Sequence, residues 1–245
     1  KNGLRTLIDG ALAKLPPGTV RLDAAVETLI PGRPHRLVWQ QAGQAGSAEF
    51  DAVVLAIPAH GIAQLTFGTL GERSLAMLDA IPHPPVSSLF LGYRREQVAH
   101  PLDGFGGLVP EKERREVLGI LFSSTLFPDR APAGHVGLTI FAGGMRQPDN
   151  ARLGTAALLE RIAPDLRDLV GAAGAPAFVK HTFWPRAIPQ YIIGYERYRD
   201  AIETAEQSAP GLFVGGNARD GISLPDCVKS GERLAAEAGK FSASL

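Results

Sequence analysis

The closing stretch from Gly211 to Asp226 constrains the fold of this chain more than any other. Gly211-Leu-Phe-Val-Gly-Gly-Asn217 reads as a short apolar strand running into a glycine turn. Glycine accepts positive φ and lets another backbone or a ligand approach closely. A few residues on, Ser223-Leu-Pro-Asp226 has the features of a helix start. Ser223 is placed to cap, Pro225 suits the first turn, and Asp226 complements the helix dipole. A strand handed through glycines to a capped helix belongs to a layered α/β fold. The helix N-terminus also offers unpaired N–H groups, which can hold a phosphate or the electron-rich edge of a ring. By themselves these residues fit a strand-turn-helix corner without a ligand at least as well.

The rest of the chain shows two textures. Leu4, Leu7, Ile8, Ala11, Leu12 and Leu15 lie at helical spacing, ended by Pro16-Pro17-Gly18. Short strands are expected at Val20–Leu22, Ala25–Ile30 and Arg36–Gln41. The nearly unbroken apolar run Phe50–Ile57 predicts a strand buried on both faces. Pro58 stops it and suits the start of a helix. A helix is expected at Glu72–Ala80. From Val86 to Thr139 the pattern becomes antiparallel, with strands at Val86–Tyr93, Gly106–Val109, Val117–Phe122 and Val136–Phe141. Leu153–Leu169 is helical, and Pro164 within it predicts a kink or two short helices. A strand at Ala177–Trp184 follows, then a polar helix at Tyr195–Gln207, the strand Leu212–Val214 and a final helix from about Leu224 to Ala238. The expected class is mixed α/β (α+β), with an antiparallel-sheet-plus-helix domain at 84–185 inserted between flanks at 1–83 and 186–245.

Bulk properties exclude several chemistries. The chain has 245 residues, 45% of them apolar, enough for one large core or two interleaved ones. Lys plus Arg and Asp plus Glu both number 25, so the basic excess usual in a nucleic-acid binder is missing. No apolar run is long enough to span a bilayer. A single cysteine, Cys227, rules out an internal disulfide, and it reads as a small packed residue at a helix start. The six histidines are scattered without ligand spacing, so no metal site is expected. No G-x-S-x-G elbow occurs. Nor does a G-x-G-x-x-G sit between a strand and a helix; Gly104-Phe-Gly-Gly107 lacks that context.

Against this background the closing segment takes a specific meaning. Gly211-Leu-Phe-Val-Gly-Gly-Asn217 with Gly221-Ile-Ser-Leu-Pro-Asp-Cys-Val-Lys-Ser-Gly231 resembles the C-terminal FAD signature of the protoporphyrinogen/coproporphyrinogen oxidase family, within the flavin amine oxidases. Ser223 stands where that signature usually has its second glycine. Trp184-Pro-Arg-Ala-Ile-Pro-Gln-Tyr191 is similar to the family's W-x-x-A-x-P-Q-Y. Phe122-Ser-Ser-Thr-Leu-Phe127 with Arg130-Ala-Pro132 is similar to its F-S-S-x-x-F…R-A-P. Gly3-Leu-Arg-Thr-Leu7 and Asp51-Ala-Val-Val-Leu-Ala-Ile-Pro-Ala59 agree with its helix and flavin-domain strand. The resemblance covers essentially the whole chain.

The resemblance implies a two-part FAD-binding domain interrupted by a substrate domain. It implies flavin contact at Trp184 and at the backbone of Gly221, Ile222 and Ser223, and an adenine-side contact at Val26. On its own Trp184 also fits a core aromatic, and Val26 ordinary strand packing. The implied activity is FAD-dependent, oxygen-using oxidation of a porphyrinogen to a porphyrin in heme biosynthesis. The flavin carries the chemistry, and no side chain is singled out as catalytic. Arg94, Arg95, Arg186 and Lys180 lie in stretches where a propionate could be held; each reads more simply as solvated surface. The expected partner is a porphyrinogen and not nucleic acid. Peripheral membrane association and a homodimer are left open, and the expected location is cytoplasmic. Without the dinucleotide motif and an initiator Met, the chain is expected to be part of a longer enzyme and to bind FAD poorly alone. Two other readings stay open: a different flavin amine oxidase relative, such as an amine oxidase or carotenoid desaturase, and a non-enzymatic porphyrin-binding module.

Overall fold

The computed structural model describes residues 3–68 and 75–245. These divide into two compact units, one of residues 83–187 and one formed by 3–82 with 188–245. The architecture is mixed α/β, as expected from the sequence.

The discontinuous unit begins with α1 (Arg5–Leu12), which ends three residues short of the apolar periodicity. The strand expected at Val20–Leu22 does not form. The chain turns there, and Asp23 is left-handed (φ 56°), which interrupts any extension. A four-stranded sheet follows, built from β1 (Ala24–Ile30), β2 (His35–Gln41) and β3 (Gln44–Phe50). The pair β4 (Val53–Leu55) and α2 (Ala59–Ala63) comes next, then β5 (Thr66–Phe67). The sheet order is β3-β2-β1-β5, antiparallel except for the parallel β1–β5 edge. β3 escaped the sequence reading because Gln44-Ala-Gly-Ser-Ala-Glu-Phe50 has little strand propensity. A two-residue hairpin makes it, with Ala42 and Gly43 both at positive φ. Its Gly46 admits Trp39 of β2, since a Cβ there would stand 2.6 Å from the indole.

The run Phe50–Ile57 is not one strand buried on both faces. Phe50 closes β3, and only Val53–Leu55 is extended. Val53 and Leu55 point into the core while Val54 is exposed. Of the helix expected at Glu72–Ala80, Leu75–Ala80 forms a 3-10 helix and 72–74 lie outside the described residues.

The continuous unit contains β6 (Val86–Arg94), β7 (Gly106–Leu108), β8 (Val117–Leu121), the one-turn helix α3 (Ser123–Leu126), β9 (His135–Gly143), the one-turn helix α4 (Pro148–Ala151), α5 (Thr155–Val170) and β10 (Phe178–Trp184). The strands make one antiparallel sheet in the order β10-β6-β9-β8-β7. Leu89, Leu91 and Tyr93 of β6 and Leu138 and Ile140 of β9 pack in one cluster with Leu158, Ile162, Leu166 and Val170 of α5. Each such aliphatic side chain contributes about 1.5–3 kcal/mol when buried.

Where the sequence predicts a kink or two short helices at Pro164, α5 runs through it as one continuous helix. Pro164 and Glu160 both lie on the exposed face, so solvent can reach the carbonyl that loses its partner, while the buried stripe continues unbroken. A chain of hydrogen bonds centred on buried Ser87 ties this layer to the sheet. Ser87 Oγ donates to the Ala151 carbonyl at 2.6 Å, and so accepts from His181 Nε2 at 2.7 Å. The other ring nitrogen, Nδ1, faces Thr155 Oγ1 at 3.0 Å.

The chain then returns to the discontinuous unit with α6 (Glu196–Ser208), β11 (Leu212–Val214) and α7 (Leu224–Ala243). β11 lies parallel to β4, Leu212 opposite Val53 and Val214 opposite Leu55. Leu29, Ile62, Leu75, Leu78, Tyr198, Ile202, Leu212 and Val214 share this unit's core.

Candidate functional site

The site is the loop between β11 and α7. It begins where Val53 N–H donates to the Gly211 carbonyl at 2.8 Å and Gly215 N–H donates to the Leu55 carbonyl at 3.1 Å, extending the β4–β11 ladder into the glycines. A Cβ at Gly215 would stand 2.5 Å from the Leu234 side chain and 2.7 Å from the Ser230 hydroxyl, so any larger residue would have to displace them. Gly216 is left-handed (φ 86°) with open space on its Cβ side.

Ser230, buried on α7, organises the turn from below. Its hydroxyl accepts from Gly216 N–H at 2.9 Å and donates to Asp220. Asp220 also takes Arg233 at 2.9 Å, and Arg233 reaches the Val214 carbonyl at 3.2 Å. Burial opposes ionisation of Asp220, but the hydrogen bonds from Ser230 and Arg233, with the charges of Arg233 and Arg219, outweigh it and hold the carboxyl below its ordinary range. On the other flank, Glu206 of α6 accepts from Val214 N–H at 2.8 Å and from Arg219 at 2.6 Å.

From above, two tyrosines grip the loop. Tyr191 donates to the Asn217 carbonyl at 2.7 Å and accepts from Gly221 N–H at 3.0 Å. Tyr195 donates to the Ala218 carbonyl at 2.8 Å. Burial, reinforced by the neighbouring tyrosines, pushes the Tyr195 phenol well above its ordinary range, so it remains a donor.

The loop then enters α7 through a capping box. Ser223 Oγ accepts from Asp226 N–H at 3.2 Å, and the Asp226 carboxylate accepts from Ser223 N–H at 3.2 Å and from the Ser223 hydroxyl at 2.6 Å. These bonds from the Ser223 side chain and backbone hold Asp226 below the ordinary carboxylate range. Gly221, at φ 118°, leaves room for that carboxylate, since a Cβ would lie 2.5 Å from Asp226 Oδ2. Ser223 therefore replaces a glycine without strain: its φ of −81° and ψ of 156° suit any residue, and its hydroxyl faces its own helix.

Gly221 and Ser223 spend their amide protons on Tyr191 and Asp226. The N–H groups of Ile222 and Leu224 find no acceptor among the described residues. Two donors thus stand at the positive end of a 20-residue helix. Exposed Ile222, Leu224 and Val228 lie beside them. Apolar surface next to uncommitted donors suits a flat ring with electron-rich edges, so the residues present fit a flavin.

Of the residues singled out from sequence, Gly221, Ile222 and Ser223 come together here. Val26 lies on β1 of the four-stranded sheet, opposite Trp39, and is 39% exposed, so it is not packed strand interior. Trp184 ends β10 in the other unit, opposite Val86, and at 54% exposed it is not a core aromatic. Cys227 is exposed in the first turn of α7, which corrects its reading as a packed residue: α7 buries Ser230 and Leu234 and turns Cys227 outward. Arg95 is not solvated surface; its guanidinium is spent on the carbonyls of Val98 and His100. Ser230, Asp220, Glu206 and Tyr195 were missed. Only the helical spacing of Ser230 from the cap pointed to the loop.

Comparison with known proteins identifies the class to which this fold belongs. The chain belongs to the flavin containing amine oxidoreductase family, whose model matches residues 1–238. Within it the chain is 34% identical to the mitochondrial protoporphyrinogen oxidase of Nicotiana tabacum over 94% of this chain and 48% of that protein. It is 29% identical to a coproporphyrinogen III oxidase of Propionibacterium freudenreichii subsp. freudenreichii over 97% of this chain and 44% of that protein. The crystal structure of a candidate protoporphyrinogen oxidase from Exiguobacterium sp. 255-15 superposes with a TM-score of 0.77 at 21% identity, over 98% of this chain and 50% of that one. The chain thus spans about half the length of the curated relatives it matches. Among the described residues no helix is long and apolar enough to cross a membrane.

Proposed function

We propose that the polypeptide carrying this chain is an FAD-dependent, oxygen-using oxidase that converts a porphyrinogen to a porphyrin in heme biosynthesis. The observation that carries the reading is the braced loop 215–223, which opens into α7 with the Ile222 and Leu224 amides uncommitted at the helix N-terminus. In this reading residues 3–82 and 188–245 belong to the FAD-binding domain and residues 83–187 to the substrate-binding domain. When bound, the flavin would accept hydride from the macrocycle and return its electrons to O₂. This chain's part would be positional: the Ile222 and Leu224 amides would hold the ring edge, and the family resemblance makes Val26 an adenine-side contact and Trp184 a flavin contact. The names of the relatives support a porphyrinogen substrate.

The test is a visible absorption spectrum of the natural full-length protein, followed by oxygen-dependent turnover of protoporphyrinogen and coproporphyrinogen. A flavin band and porphyrin fluorescence growing with O₂ uptake are expected. A colourless, flavin-free preparation would rule the reading out. The 245-residue chain by itself, lacking a G-x-G-x-x-G, is expected to retain FAD weakly.

A further inference from the structure

The loop amides face a ligand only if the loop keeps one shape, and a single side-chain atom spans it. Tyr191 Oη closes the loop by bridging a carbonyl at its start, Asn217, and an amide near its end, Gly221, at 2.7 and 3.0 Å. Both bonds need the neutral phenol, which donates one proton while accepting another. Burial raises its pKa above the ordinary 10.0, so the proton stays.

The ring itself is aimed. Tyr191 stacks on Tyr195 with centroids 4.4 Å apart and planes at 46°. Tyr195 packs on Tyr198 at 5.2 Å and 64°. Tyr198 is fully buried in the core of the discontinuous unit. The ladder thus fixes a half-exposed hydroxyl from a rigid base.

We propose that Tyr191 is a positioning residue for the flavin: its hydroxyl holds loop 217–221 so that the Ile222 and Leu224 amides present one preformed edge to the ring. The proposal rests on the flavin reading above. Tyr191 makes no contribution to the core beneath it that its ring alone does not make. Removing the oxygen therefore loosens the loop while the core keeps its packing. Binding then pays for ordering the loop, a cost that preorganisation otherwise removes.

The experiment compares Tyr191→Phe and Tyr198→Phe with wild type in the natural full-length protein. Flavin is stripped, and FAD is titrated back with flavin fluorescence and visible circular dichroism as readouts. The Tyr198 hydroxyl accepts from the Arg197 guanidinium at 2.7 Å rather than bonding to the loop. Tyr191→Phe is expected to raise the FAD dissociation constant about tenfold, since two hydrogen bonds are lost. The apoprotein should melt close to wild type, and Tyr198→Phe should bind FAD as wild type does. FAD binding by Tyr191→Phe equal to wild type overturns the proposal, as does a loss matched by Tyr198→Phe in step with melting temperature. Wild type that takes up no FAD overturns the flavin reading itself. Amide hydrogen exchange on the wild-type apoprotein gives an independent arm. Protection at Gly221 supports the clamp, and fast exchange there overturns it whether or not the variants fold.

Discussion

His35 and Pro210 lie 175 residues apart in sequence, and the His35 ring nitrogen Nε2 stands 3.1 Å from the Pro210 carbonyl oxygen. Nδ1 accepts from Gly32 N–H at 3.3 Å, so the proton sits on Nε2 and the ring is neutral. Gly211 next door admits the imidazole, because a Cβ there would lie 2.8 Å from Nε2. This bond ties β2 to the start of β11 and so to the loop described above.

Burial lowers the pKa of His35 from its ordinary 6.5; the Pro210 carbonyl pulls the other way and Arg33 adds to the lowering. Below pH 6.5 the unfolded chain takes up a proton that the folded one resists. The His35 contribution is therefore complete above 6.5 and is lost as pH falls through the lowered value. Thermal midpoints should drop between pH 7 and pH 5, and His35→Gln should flatten that slope. An unchanged slope in His35→Gln would remove His35 as its source.

Gly221→Ala places a Cβ against the Asp226 carboxylate at a φ that side chains rarely adopt. The capping box must open or the loop must shift, at a cost of about 1–3 kcal/mol. Chemical denaturation should show that loss. Flavin retention in the full-length protein should fall with it.

Asp165 is the buried charge of the continuous unit. Its carboxylate accepts from Glu116 N–H at 2.7 Å and Val117 N–H at 3.1 Å, with Arg115 at 3.3 Å. Asp165→Ala strands two amides, while Arg115 keeps Asp168 at 2.8 Å, and should cost roughly 2–4 kcal/mol in urea unfolding. Asp165→Asn keeps one acceptor oxygen and should lose less.

Pro164→Ala should stabilise the protein. The residue sits on the exposed face inside a continuous helix, where alanine restores a backbone donor and relieves the ring clash. The gain expected is on the order of 1 kcal/mol or more, read as a higher thermal midpoint.

Much of the site was legible in the sequence because its signals are local. Ser223, Pro225 and Asp226 form a helix start wherever they occur together, and the helix they open is there. Gly211, Gly216 and Gly221 all take positive φ, as glycines bracketing a turn should. The alternation in Val86–Arg94 and His135–Gly143 likewise determined which residues face the core.

What the sequence did not carry are the distant partners. Nothing near Tyr191 names Asn217 or Gly221, and nothing near His35 names Pro210. A hydrogen bond between remote segments leaves no periodicity in either. β3 formed from weak residues because a hairpin gave it a partner, and Val20–Leu22 failed because the chain turns at the left-handed Asp23. Pro164 stayed helical because its stripe of buried leucine, isoleucine and valine outweighs one lost bond. Sequence determined by itself that a glycine-bracketed loop leads into a capped helix. Tertiary structure alone decided that three remote side chains, Tyr191, Tyr195 and Ser230, would hold that loop in one shape, since only folding brings their hydroxyls within bonding distance of it.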